Sequence, residues 1–150
     1  MNPTDRAKNI LHSDLEALWP TQSAPLLREL HLLTRDGKLN QDARRKLKQI
    51  YHFARLLVPV LERTYAAKDS PSIVDVGSGK SYLGFLLYDL WVGPLGRGRL
   101  ANIESRPELV ANARKLAAET GFERMEFVES SIRDSEPGEV DVLVALHACD

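Results

Sequence analysis

Leucines recur at helical spacing along the first third of the chain. Leu11, Leu15, Leu18 and Trp19 form one such set and stop at Pro20; Leu26, Leu27, Leu30 and Leu33 resume the pattern behind Pro25. Asp36-Gly37 is a turn signal. From Leu39 to about Tyr65 the pattern predicts one long amphipathic helix. Its apolar stripe is Leu47, Ile50, Tyr51, Ala54, Leu57 and Leu61. Pro59 lies inside it and predicts a kink or a split, because proline removes a backbone donor and crowds the preceding turn.

The period changes at Pro71. Ser72 to Val76 is a short β-rich run ending at Gly77, and Leu83, Leu86, Leu87 and Leu90 then mark a helix face. Arg99 to Glu104 reads as a second strand. A second helix follows on Leu109, Ala113, Leu116 and Ala117, opened by Ser105-Arg106-Pro107-Glu108 with capping-box spacing and closed by Gly121. Met125 to Glu129 is a third strand and Val140 to Leu146 a fourth; any helix in the Gly/Pro/Glu-rich stretch between them must be brief. Strand–helix–strand–helix–strand predicts parallel βαβ units with right-handed crossovers. The expected organisation is a helical region over residues 1–70 and an α/β region over residues 71–150.

Composition narrows the class. The chain has 150 residues, 43% hydrophobic and 27% charged, with net charge -1, as in a globular protein able to bury a core. No apolar run reaches transmembrane length, and the polar start lacks the apolar stretch of a signal peptide, so no membrane association is expected. The single Cys149 excludes an internal disulfide and fits a reducing, cytoplasmic setting. The four histidines show no metal-ligand spacing, and no metal is expected. Charge is uneven: residues 1–70 carry 12 Lys/Arg against 8 Asp/Glu, residues 71–150 carry 8 against 13. A basic first half hints at an anionic partner.

The chemistry concentrates in Asp75-Val76-Gly77-Ser78-Gly79-Lys80-Ser81. Glycines just past a parallel strand let a ligand approach the backbone closely, and three ligand classes use such a turn. A phosphate-wrapping loop ends in Gly-Lys-Ser, but its opening glycine would fall at Val74, inside the strand. A dinucleotide fingerprint needs a glycine where Tyr82 stands, and an acid after strand two, such as Glu104, is shared with that class. The third class is S-adenosylmethionine. Asp75 would repel a pyrophosphate but serves the cationic amino-acid end of such a ligand, and Glu104 can accept both ribose hydroxyls.

With these residues in view, the chain resembles class I S-adenosylmethionine-dependent methyltransferases over roughly residues 71–150. Asp75 to Leu83 together with Leu146-His147-Ala148-Cys149-Asp150 is similar to a branch with D-V-G-S-G-K-G-x-L after strand one and L-H-A-C after strand four, and to tRNA 2′-O-ribose methyltransferases. The resemblance implies a Rossmann-like sheet preceded by helices. It implies that Asp75, Gly77, Ser78 and Gly79 line the methionine moiety, Glu104 binds ribose, Ser131 and Ile132 flank adenine, and Leu146 and His147 close the site. Ser81 departs from the usual third glycine, and Ser131 stands where many members carry an aspartate. Such sheets usually have seven strands, so the resemblance also implies that the chain is a fragment.

The resemblance implies methyl transfer as an in-line attack on the sulfonium methyl, in which alignment does much of the work. A base is needed only for a protonated acceptor, and His147 and Asp150 are the candidates. Arg45, Lys48, His52 and Arg55 share one face of the long helix, which reads either as a solvated face or as a phosphate-contacting strip. RNA is therefore slightly favoured over a protein or small-molecule acceptor. The alternatives are a non-catalytic Rossmann-type binding module and a dinucleotide-binding protein of the NAD type.

Overall fold

The computed structural model describes residues 19–146. The leucine pattern before Trp19 lies outside them, as do His147 and Asp150. The chain divides into two compact units, Met1–Phe53 and Ala54–Asp150.

In the first unit, helix α1 (Ala24–Glu29) starts where Ser23 Oγ accepts the Leu26 N–H at 3.3 Å and Pro25 sits in the first turn. The expected leucine face is buried at Leu26, Leu27, Leu30 and Leu33. The helix is shorter than that face, because His31 turns left-handed at φ 57. Gly37, at φ 78, makes the predicted turn, in which Thr34 and Lys38 bond to each other. Helix α2 (Gln41–Ala67), whose residues from Ala54 on belong to the second unit, then begins with Asn40 Oδ1 accepting the Ala43 N–H at 2.8 Å. Its residues Leu47, Ile50 and Tyr51 are buried, and the Tyr51 hydroxyl donates to Gln22. The helix continues through Pro59 rather than splitting. A proline there removes one backbone N–H, and the flanking turns keep theirs.

The second unit is built on four parallel strands: β1 (Ser72–Val76), β2 (Arg99–Glu104), β3 (Met125–Glu129) and β4 (Val142–Val144), in the order β3-β2-β1-β4. β1 is buried at all five positions, as a strand covered on both faces must be. β1 and β2 are joined by α3 (Tyr82–Leu87), a π-helical segment (Tyr88–Val92) and the short α4 (Gly93–Leu95). Helix α5 (Pro107–Thr120) joins β2 to β3 and ends at Gly121, at φ 74. Its buried face is Val110, Ala113 and Ala117, and Leu109 and Leu116 are half-buried. The predicted capping box does not form. Arg106, not Ser105, is the N-cap, and no side chain caps it. No helix lies between β3 and β4, and β4 is shorter than the apolar run that predicted it.

This is the predicted Rossmann-like arrangement. At the end away from the strands' carboxyl termini, Arg97 donates to the carbonyls of Tyr65, Lys68 and Asp69 and lies over the Tyr65 ring. Asp141 accepts from the Ser72 N–H at 2.8 Å and pairs with Lys68.

α3 packs on β2 at close range, which only a glycine allows. A Cβ on Gly84 would sit 2.3 Å from Asn102 Oδ1 and 3.2 Å from Leu100 Cδ2. Asn102 is buried and its Nδ2 donates to the Glu126 carbonyl at 3.2 Å, so it has little room to retreat. Gly84→Ala is expected to cost roughly 1–3 kcal/mol in a urea melt. An Asn102→Ala background should remove much of that loss, and equal losses in both backgrounds would refute the clash.

Candidate functional site

The sequence-selected residues meet along the carboxyl edge of the sheet because the strands are parallel and in register. Asp75 pairs with Asn102 in β2 and with Val144 in β4, and Glu104 pairs with Glu129 in β3. Ser131 follows Glu129 by two residues, and Leu146 follows Val144 by two. Clefts at this edge are where open α/β sheets hold ligands.

Between β1 and α3 the backbone turns sharply. Gly77 has φ 63 and Gly79 has φ 58, values that glycine adopts without penalty. The turn is tied to the end of β2. The Ser78 N–H donates to the Ile103 carbonyl at 3.0 Å, and the Gly79 N–H donates to Glu104 Oε1 at 3.0 Å.

Ser81, where the sequence departs from the expected glycine, is also left-handed, at φ 62 and ψ 25. It is 1% exposed, and its hydroxyl donates to Ser78 Oγ at 3.2 Å. The left-handed region costs an L-residue roughly 1–2 kcal/mol, most for a β-branched one. Ser81→Gly is thus expected to keep stability within about 1 kcal/mol of the parent, relief of strain offsetting the lost hydrogen bond and added chain entropy. Ser81→Val should lose at least about 2 kcal/mol. Equal denaturation midpoints for the two variants would contradict the strain.

Asp75 is 3% exposed. Burial pushes its pKa up from 3.8 to about 7, and among the described residues no lysine or arginine forms an ion pair with it. Glu104 is 6% exposed and has the opposite environment. Arg106 donates to it from Nε at 3.1 Å, from Nη2 at 3.1 Å and from the backbone N–H at 3.2 Å. Those bonds, with that from Gly79, hold its pKa below the usual carboxylate value against the effect of burial. One carboxylate at this edge therefore lacks a countercharge, and its neighbour is fully engaged.

Beyond β3 the chain turns over residues 130–135. The Ser130 N–H donates to the Glu104 carbonyl at 3.0 Å, which brings this turn alongside the end of β2. Ser131 Oγ donates to Asp134 Oδ2 at 2.8 Å and accepts the Asp134 N–H at 3.1 Å. Ile132 is 46% exposed. The reading of the sequence missed Asp134 and Arg106. An acid three residues after Ser131 was the available signal for the first; for the second it was an arginine two residues after Glu104. Leu146 is half-buried just past β4. Among the described residues, no group of His, Cys, Asp or Glu is placed to hold a metal ion, and no helix is long and apolar enough to cross a membrane.

A family model described as a methyltransferase domain matches residues 45–150, more than half of the chain. The chain belongs to that methyltransferase family. Among curated proteins none matches. Solved structures similar to this methyltransferase domain include a protein-L-isoaspartate O-methyltransferase, 18% identical with a TM-score of 0.48 over 61% of this chain and 28% of that one. PKMT2 from Rickettsia typhi, in complex with AdoHcy, is 16% identical with a TM-score of 0.46 over 58% and 18%. An rRNA methylase from Streptococcus thermophilus is 10% identical with a TM-score of 0.45 over 61% and 48%. The methyltransferase domain described here thus spans less than half the length of each of these three chains.

Proposed function

We propose that the chain binds S-adenosylmethionine at the β1–α3 turn and transfers its methyl group, with RNA as the favoured acceptor. The observation that carries the reading is the pair of carboxylates flanking a glycine bend at the ends of adjacent parallel strands. Asp75 is buried without an ion pair among the described residues, which suits an ammonium and disfavours phosphate. Glu104 is held at the bend by the Gly79 N–H, which suits a ribose diol. Gly77 and Gly79 leave room for close approach of the ligand to the backbone. Exposed Ile132, past β3, offers an apolar surface to a base. Bound there, the cofactor would supply an electrophilic methyl on a sulfonium. The chain's own share is to hold and align that group and to exclude water. His147 and Asp150 are the candidates to take a proton from a protonated acceptor. Calorimetric titration with S-adenosylmethionine tests the reading. Micromolar binding is expected, and no binding would refute it.

RNA is favoured because Arg45, Lys48, His52 and Arg55 are all exposed along α2. Such a strip would contact successive phosphates, and affinity should fall steeply with salt. Arg45→Glu with Lys48→Glu removes two of these contacts. For a single-stranded RNA the slope of log affinity against log salt should then drop by about 1.4. A salt-independent affinity in the parent would count against RNA.

A further inference from the structure

A carboxylate has two oxygens and about four directions from which to accept hydrogen bonds. On Glu104 four are taken. Oε1 accepts from the Gly79 N–H at 3.0 Å and from Arg106 Nη2 at 3.1 Å; Oε2 accepts from the Arg106 N–H at 3.2 Å and from Arg106 Nε at 3.1 Å. Each oxygen therefore has one backbone donor and one donor from the guanidinium. The backbone donors are fixed by the glycine bend and by the first turn of α5. The guanidinium is not fixed in that way: the Arg106 side chain is 58% exposed and that of Glu104 only 7%. Arg106 Nη2 also lies over the bend itself, 3.7 Å from where a Cβ on Gly79 would stand.

We propose that Arg106 is a latch occupying the diol seat of Glu104, and that a ribose-bearing ligand binds by displacing it. This rests on the reading of the site as a nucleoside pocket. The fit is one of donor geometry. The guanidinium presents two N–H donors, one to each carboxylate oxygen, and a vicinal diol presents two O–H donors in the same fork. When the arginine leaves, the two backbone N–H groups stay, so the carboxylate keeps its position and its charge. When the diol arrives, every acceptor direction is filled again. A ligand without a diol has nothing to offer in exchange, so the latch selects for ribose. The latch also sets the affinity, because the binding-competent state is only the fraction of molecules with Arg106 swung out.

The competing view is that Arg106 only positions Glu104, and the two views predict opposite signs. Under the latch, Arg106→Ala should bind S-adenosylhomocysteine about tenfold more tightly than the parent. Arg106→Lys, a point charge without the fork, should fall between them. S-adenosylhomocysteine is the right probe because it lacks the sulfonium, so removing a cation from the rim does not by itself strengthen its attraction. The measurement is calorimetric titration of the full chain and both variants, with thermal melts to confirm that each is folded. Should Arg106→Ala prove unfolded, Arg106→Lys carries the same sign. A second readout is the Arg106 Nε–H resonance, which should be protected from exchange in the free chain and lose that protection on saturation with the ligand. Equal or weaker binding by the variants overturns the latch and leaves the pocket standing. Absence of binding by the parent and both variants overturns latch and pocket together.

Discussion

Replacing Asp75 with alanine is expected to abolish S-adenosylmethionine binding, by at least about a hundredfold in affinity, with the sheet still folded. The size follows from where the carboxylate sits. Asp75 is 3% exposed, so an ammonium that reaches it finds a partner with little competing water. The same burial raises its pKa to about 7, and this gives the prediction a pH signature. Below about pH 4 the carboxyl is protonated in folded and unfolded chains alike. Between pH 4 and 7 the folded state keeps a proton that the unfolded state has lost. Stability therefore falls as pH rises through that window and levels off above it, the full penalty being at most about 4 kcal/mol. Asp75→Asn removes the penalty, so the variant should match the parent at pH 4 and be more stable at pH 8. Binding runs the other way. A cationic ligand needs the ionised form, so affinity in the parent should climb from pH 5.5 to 7.5. The asparagine variant should bind weakly and without that slope. A chain that is more stable and no longer binds would mark Asp75 as kept for the ligand at a cost to the fold. Parent-like affinity in the alanine variant would sink the idea.

The parts of the molecule legible in the sequence are those set by local chemistry. Ser72 to Val76, Arg99 to Glu104 and Met125 to Glu129 are strands with the bounds their residues suggest, because β-rich runs there end at glycine or serine-containing turns. Gly121 stops α5 because a left-handed C-cap is best met by glycine. The misses come from competition between near neighbours. The spacing of Ser105 and Glu108 suggested a capping box, but such a box needs Arg106 inside the helix, and Pro107 holds the residue before it extended, at φ -85 and ψ 113. Helix α5 starts from Arg106 as a result. Pro59 suggested a kink or a split; the split does not occur, because the loss of one N–H is local and the helix runs on. In the site, the glycines and the two acids stand out in the sequence because their types are unusual at strand ends. What the sequence hides is that one acid is free of ion pairs among the described residues and the other saturated. That difference is set by the fold of Arg106 back onto Glu104, a side-chain conformation with no periodic trace.

Glu104→Gln is expected to weaken S-adenosylhomocysteine binding by roughly 30- to 100-fold and to loosen the bend. Glutamate offers two acceptor oxygens to four N–H donors; glutamine offers one oxygen and turns the other atom into a donor. Whichever way the amide is oriented, its NH₂ faces either Gly79 and Arg106 Nη2 or the Arg106 N–H and Nε. Two donors then meet in a buried place, which costs roughly 1–3 kcal/mol. The charge lost with the substitution adds to this, since the side-chain hydrogen bonds from Arg106 are the first cause of the lowered Glu104 pKa and they favour the ionised form. A carboxylate with a depressed pKa contributes stability that is present above its unfolded value of 4.5 and is lost as pH falls through its folded value. Parent and variant should therefore differ in urea melts at pH 7 and converge toward pH 3, where Glu104 itself takes up a proton. The convergence separates Glu104 from Asp75, whose variant gains on the parent as pH rises because its penalty is removed. If binding survives Glu104→Gln undiminished while the melts shift as expected, Glu104 serves the fold of the bend and the diol must be held elsewhere.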